Sequence, residues 1–136
     1  MTELMDPERL AGLPLFADLD DGERAEVAAC AREINIAAGD TLATEGENAY
    51  EFFVIEAGEA NVHKDGQLIG SVGPGDVVGE IGLLVTGART ASVVATTPMT
   101  LVAIFSRDFK QIEKRMPAIA TSLRATMRER VARTSL

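Results

Sequence analysis

Phe52-Phe53-Val54-Ile55, closed by Ala57-Gly58; Ala60-Asn61-Val62-His63; Asp65-Gly66; Leu68-Ile69 with Val72; Gly73-Pro74-Gly75-Asp76: the middle of the chain is a series of short runs cut by turns. An apolar run of four residues bounded by turn residues fits a buried strand. Asp-Gly between two such runs is a hairpin signal, because both turn residues need a positive φ. The same rhythm extends outward. Ile34-Asn35-Ile36 alternates, Gly39-Asp40 punctuates, and Thr41 to Thr44 is short and β-prone. Beyond the middle, Thr90 to Thr96 and Met99 to Phe105 form a last pair, split at Thr97-Pro98. Seven or eight short strands at regular spacing predict a sandwich or an eight-stranded jelly-roll β-barrel.

Both flanks are helical in pattern. Asp6-Pro7 suits an N-cap followed by the first helical position. Asp20 and Glu23 have the spacing of a capping box, and Val27, Ala28 and Ala31 continue an apolar stripe to about Arg32. Phe16 is the expected anchor of this helical pair, and Cys30 an inward-packed thiol on the helix face. After the strands, Ser106 is placed to cap a helix over Arg107–Arg115. Met116-Pro117 breaks it, and Ile119, Leu123, Met127 and Val131 recur as one stripe on a final helix. The expectation is one domain over 1–136, mainly β with flanking helices: N-terminal helices over 1–32, a β-roll over 33–106 and C-terminal helices over 107–136.

Composition narrows the function. The 136 residues are 46% hydrophobic and 25% charged, which is globular rather than disordered. A net charge of −8 opposes direct nucleic-acid binding, which needs a basic surface. One cysteine and one histidine, His63, rule out an intrachain disulfide and the usual multi-histidine metal site of a cupin enzyme. No secretory signal or membrane span is visible, so a soluble, cytoplasmic protein is expected. Residues 1–106 hold 5 basic and 18 acidic residues, a net of −13; residues 107–136 hold 8 basic and 3 acidic, a net of +5. Between Arg32 and Arg107 the only cations are Lys64, beside the predicted hairpin turn, and Arg89. Arg89 is therefore the candidate anion ligand of the acidic part, the alternative being a structural ion pair.

One segment breaks the strand pattern: Gly75-Asp76-Val77-Val78-Gly79-Glu80-Ile81-Gly82-Leu83-Leu84-Val85-Thr86-Gly87-Ala88-Arg89-Thr90-Ala91-Ser92. Its centre has helical character for about one turn. The exposed N–H groups at the start of such a turn attract anions, and Gly79 and Gly82 let a ligand approach the backbone. The planar fork of Arg89 suits a phosphate, while Glu80 can accept from sugar hydroxyls or simply cap the turn. This set suits a small molecule carrying a phosphate and a hydroxyl.

The run Gly79-Glu80-Ile81-Gly82-Leu83-Leu84 … Arg89-Thr90-Ala91-Ser92-Val93 resembles the phosphate-binding cassette of the cyclic nucleotide-binding domain family. Leu13-Pro14-Leu15-Phe16 … Leu19 looks like that family's helical entry, and Gly46 … Tyr50-Glu51-Phe52-Phe53-Val54-Ile55 … Gly58 like its central strand signature. The gap from Glu80 to Arg89 is similar to that of kinase regulatory subunits and cyclic nucleotide-gated channels. Val78 stands where the family often has phenylalanine. The resemblance implies that Arg89 pairs with the cyclic phosphate, helped by Thr90, Ala91 and Gly82. It implies that Glu80 binds the ribose hydroxyl, with Gly79 and Ile81 beside the sugar. It assigns Val62, Val72, Leu83, Thr90 and the lid residue Arg130 to the base. Each has a plainer reading as well: Val62 and Val72 as core, Thr90 as a strand threonine, Arg130 as a solvated helix face. The expected function is non-catalytic sensing of a cyclic purine nucleotide, cAMP favoured over cGMP, with the C-terminal helix closing on the ligand, no other cofactor and no metal. A protein partner or homo-oligomer is expected as effector. The alternatives are a jelly-roll interaction module that binds no nucleotide, or the sensor piece of a larger transcription factor, channel or enzyme.

Overall fold

The computed structural model describes residues 5–79 and 88–134. Helix α1 is Pro7–Ala11, with Asp6 capping it by accepting from the Glu8 N–H. A 3-10 turn follows at Pro14–Phe16, and α2 is Asp21–Ala28. The expected capping box is present: the Asp20 carboxylate accepts from the Glu23 N–H at 2.8 Å, and Glu23 accepts from the Asp20 N–H at 2.9 Å. The strands are β1 Ala31–Ile36, β2 Thr41–Ala43, β3 Glu51–Ala57, β4 Ala60–Lys64, β5 Gln67–Val72, β6 Val77–Val78, β7 Ser92–Ala95 and β8 Met99–Phe105. Two helices close the chain, α3 Ser106–Arg115 and α4 Pro117–Thr134.

Among the described residues, eight strands lie in two antiparallel four-stranded sheets, ordered β1-β8-β3-β6 and β2-β7-β4-β5. Of the sandwich or jelly-roll barrel expected from strand count, the two-sheet arrangement is what the described residues form. β5 and β6 are successive, but the turn at Gly73-Pro74-Gly75 sends them to opposite sheets, and no ladder among the described residues joins the two sheets. The Asp65-Gly66 hairpin is as expected, with φ of 52° and 77°.

The apolar run of β3 has a simple cause. Its sheet is covered on both faces, so both sets of alternating side chains are buried. Phe52 and Val54 face the helices, together with Val102 and Ile104 of β8. Phe53 and Ile55 face the second sheet, together with Leu101 and Ala103. Phe16 is fully buried in the helical cluster, as its anchoring role requires. On α4, Ile119, Ala120 and Leu123 dock into the same cluster; the side chains of Met127 and Val131, the rest of the expected stripe, lie outside the described residues.

Three local expectations need correction. α2 ends at Ala28, and the chain is already a strand at Ala31, because β1 pairs with β8 along its whole length from Ala31↔Ile104 to Ile36↔Met99. Cys30 therefore sits in the turn after the helix, half-buried, its thiol donating to the Val27 carbonyl at 3.3 Å. Ser106 does not cap α3: it is the first helical residue, and its N–H donates to the Tyr50 carbonyl at 2.8 Å. Among the described residues no helix is long and apolar enough to cross a membrane.

Candidate functional site

The site is assembled from the ends of three strands. β6 pairs with β3 through Phe53↔Val78 and Val54↔Val77, so the next residue, Gly79, comes to lie beside the start of β3. β7 pairs with β4 through Val62↔Val93, and Arg89 lies three residues ahead of it. The main chain at Arg89 is pinned to the 46–48 loop. Its N–H donates to the Glu47 carbonyl at 2.7 Å, its carbonyl accepts from the Gly46 N–H at 2.9 Å, and Ala88 bridges Asn48.

Arg89 is the only charged residue in the core among the described residues, 8% exposed. Its Nη1 donates to the Glu51 carbonyl at 2.9 Å, and its guanidinium lies 5.6 Å from the centre of the Phe53 ring. A backbone carbonyl and an aromatic face both suit a cation in a low-dielectric setting. Gly79 makes this placement possible. Its φ is 92°, and a Cβ there would collide with Arg89 Nη1 and stand 3.3 Å from the Glu51 carbonyl oxygen. Only glycine leaves room for the guanidinium.

Arg89 and Gly79, ten positions apart, are thus brought into contact; the sequence had marked Gly79 for the approach of a ligand, and it is the Arg89 guanidinium that lies against it. Thr90 and Ala91 follow Arg89 directly and are half-buried, Ala91 packing on the core between the sheets. Val62 and Val72 lie in that core, 0% and 3% exposed, on adjacent strands β4 and β5. Glu80, Ile81, Gly82 and Leu83 lie outside the described residues, as does the side chain of Arg130. Lys64 is exposed beside its hairpin turn, which leaves Arg89 as the buried cation of the acidic part.

Two contributors were not foreseen. Glu51 supplies the carbonyl that accepts from Arg89, while its carboxylate pairs with Arg32 at 2.8 Å. Ser92 accepts from the Glu45 N–H through its hydroxyl at 2.9 Å, tying the start of β7 to the preceding loop. A carbonyl acceptor leaves no mark in a sequence, since every residue has one. The position of Phe53 within a strand run was the only available signal for the ring beside Arg89.

The sequence profile of the cyclic nucleotide-binding domain matches residues 33–115. This chain belongs to the cyclic nucleotide-binding domain family. It is 33% identical over 98 residues to a cAMP-dependent protein kinase regulatory subunit of Yarrowia lipolytica, an alignment that covers 72% of this chain and 26% of that protein. The chain therefore spans about a quarter of the length of the kinase regulatory subunits it matches. A crystal structure of the N-terminal domain of a transcriptional regulator from Streptomyces coelicolor A3(2) is 34% identical, with a TM-score of 0.74 over 93% of this chain and 94% of that one. A crystal structure from Geobacter metallireducens GS-15 shares the fold at a TM-score of 0.87, with 22% identity over 98% of this chain and all of the other (100%).

Proposed function

We propose that this domain binds a cyclic purine nucleotide without transforming it, and that occupancy is what it reports. The observation that carries the reading is the Arg89 guanidinium, buried in an acidic body and fitted against a glycine with positive φ. A buried cation with strong donors is suited to a phosphodiester, the one charged group of such a ligand. In this reading Arg89 holds the phosphate with Thr90, Ala91 and Gly82, Glu80 takes the ribose hydroxyl beside Gly79 and Ile81, and Val62, Val72, Leu83 and Thr90 meet the base. Relatives named for cAMP-dependent kinases favour cAMP over cGMP. The phosphate engages the segment holding Glu80, and α4, docked through Ile119 and Leu123, shifts with Arg130 toward the base. Output then passes to a protein partner, a second copy or a further domain of the same polypeptide, in a soluble, cytoplasmic setting.

Calorimetric titration with cAMP and cGMP tests this. Hydrogen bonds to a charged group contribute about 1.5–3 kcal/mol, so Arg89→Ala should weaken binding by roughly tenfold to a hundredfold. Glu80→Ala should weaken it less. Unchanged affinity in both variants overturns the assignment. No rise in melting temperature with either nucleotide favours the interaction module without a nucleotide, because a ligand that binds only the folded state must raise it.

A further inference from the structure

Helix α3 buries Phe109 and Ile112 against the helical cluster. With 3.6 residues per turn, Arg107, Lys110, Gln111 and Lys114 share the opposite face, and all four are exposed. No carboxylate interrupts that face. Asp108 and Glu113 sit at its flanks, half-buried, and Glu113 is engaged by Arg124 at 2.7 Å. Among the described residues, Arg107, Lys110 and Lys114 have no ion-pair partner, whereas Arg115 nearby is matched to Glu26 at 3.4 Å. The helix dipole favours Lys114 in the last turn but opposes Arg107 in the first. Arg107 therefore sits where helix electrostatics alone would not put a cation.

Beside this stripe lies an aromatic groove of about 320 Å³ lined by Tyr50, Phe105, Ser106 and Arg107. Arg32 and Arg107 both lie on the Phe105 ring, 4.0 and 5.1 Å from its centre. Tyr50 is 63% exposed, more than either of the other exposed large apolar side chains, Leu68 and Ile69. An apolar cleft continuous with a row of unpaired cations is complementary to a chain bearing an apolar anchor and carboxylates. The whole molecule, at −8, repels long polyanions and anionic membranes. A short acidic segment meets only the stripe.

We propose that this surface docks an extended acidic segment of a partner protein, an aromatic or branched apolar side chain filling the groove and carboxylates following along Arg107, Lys110 and Lys114. The cations span about 10 Å of helix at 1.5 Å per residue, which three or four residues of extended chain cover. The anchor therefore precedes an acidic run of about that length. This surface does not depend on the nucleotide reading.

The experiment is an amide NMR titration of the full chain with the peptide acetyl-Gly-Phe-Gly-Asp-Glu-Asp-Glu-amide. The expected result is fast-exchange shifts confined to Tyr50 and the 105–114 stretch, weakening as salt rises from 50 to 300 mM. Replacing the peptide's phenylalanine by alanine should weaken binding severalfold. The double variant Lys110→Glu, Lys114→Glu, exposed and so expected to fold normally, should weaken it by about tenfold or more. No shifts at about 1 mM peptide, shifts elsewhere, or indifference to the double variant overturns the proposal. So does preferential binding of phosphatidylserine vesicles or single-stranded DNA, or self-association abolished by the same double variant.

Discussion

The two faces of the β1-β8-β3-β6 sheet carry cores of different make. The face toward the helices packs Phe16, Phe52, Phe109, Leu10, Ile112 and Leu123. The face toward the other sheet packs Ala43, Ala60, Ala95 and Ala103 among valines, Ile55, Leu101 and Met99, with Phe53 its only aromatic residue among the described residues. Bulky side chains fill the irregular gap between helices and a twisted sheet, whereas two sheets facing each other interdigitate with smaller ones. The lean interior is also where Arg89 and Gly79 meet. The heavy face docks α4; the light face carries Phe53, the ring beside the buried Arg89.

The sharpest way to break this contrast is to hollow out the heavy face. Phe52 is fully buried and meets Phe109 edge-on with ring centres 6.0 Å apart. Phe52→Ala should cost about 3–5 kcal/mol, read as a fall in the chemical-denaturation midpoint. A loss below about 1 kcal/mol would show the helical side to be dispensable. On the light face, Gly79→Ala should cost about 1–3 kcal/mol from backbone strain and displacement of Arg89, and should also lower nucleotide affinity. A change in stability with intact affinity would separate Gly79 from the site.

A smaller effect belongs to the ionic clasp that holds α1 to the sheet. Arg9 binds Glu56 and Glu33, each at 2.6 Å, and the hydrogen bond to Glu56 keeps its guanidinium more firmly protonated than usual. Glu33 is pulled below the ordinary carboxylate range by Asn35 and Arg9. Because its folded-state proton affinity is lowered, its stabilising effect is present above that range and disappears as pH falls through it. Arg9→Ala should cost about 1 kcal/mol or less, since the clasp is half in water, and the difference should shrink in high salt. The smallest change concerns Cys30, whose thiol is pushed up to about 11, first by burial and then by the charge of Asp108. Its alkylation by iodoacetamide at pH 9 should be more than tenfold slower than that of an unshifted thiol. The stabilisation from keeping the thiol neutral is lost as pH rises from about 9 to about 11. Rapid alkylation would show that the turn after α2 opens.

Much of this was legible in the residues. The Phe52–Ile55 run announced a strand covered on both sides, Asp65-Gly66 its hairpin, and Asp20 with Glu23 a helix start. The scarcity of cations singled out Arg89, whereas Gly79 was marked for a ligand's approach and not for the guanidinium that lies against it. What was not legible depended on partners far away in sequence. β1 begins three residues before Ile34 because β8 offers a matching ladder, which no local propensity at Ala31 records. Ser106 looked like a cap, but its N–H is claimed by the Tyr50 carbonyl. Strand count left a sandwich and a jelly-roll barrel both open, and which strands share a sheet depends on the crossing at Gly73-Pro74-Gly75, which no local pattern records.

Several fastenings of the molecule converge at Glu51. Its carbonyl steadies the innermost cation, its carboxylate grips the arginine lying on Phe105, and the neighbouring Tyr50 carbonyl fastens the root of α3. Two successive peptide units, at residues 50 and 51, therefore carry the fastenings of both the buried guanidinium and the first turn of α3, so the innermost cation and the root of the C-terminal helices share one short piece of backbone.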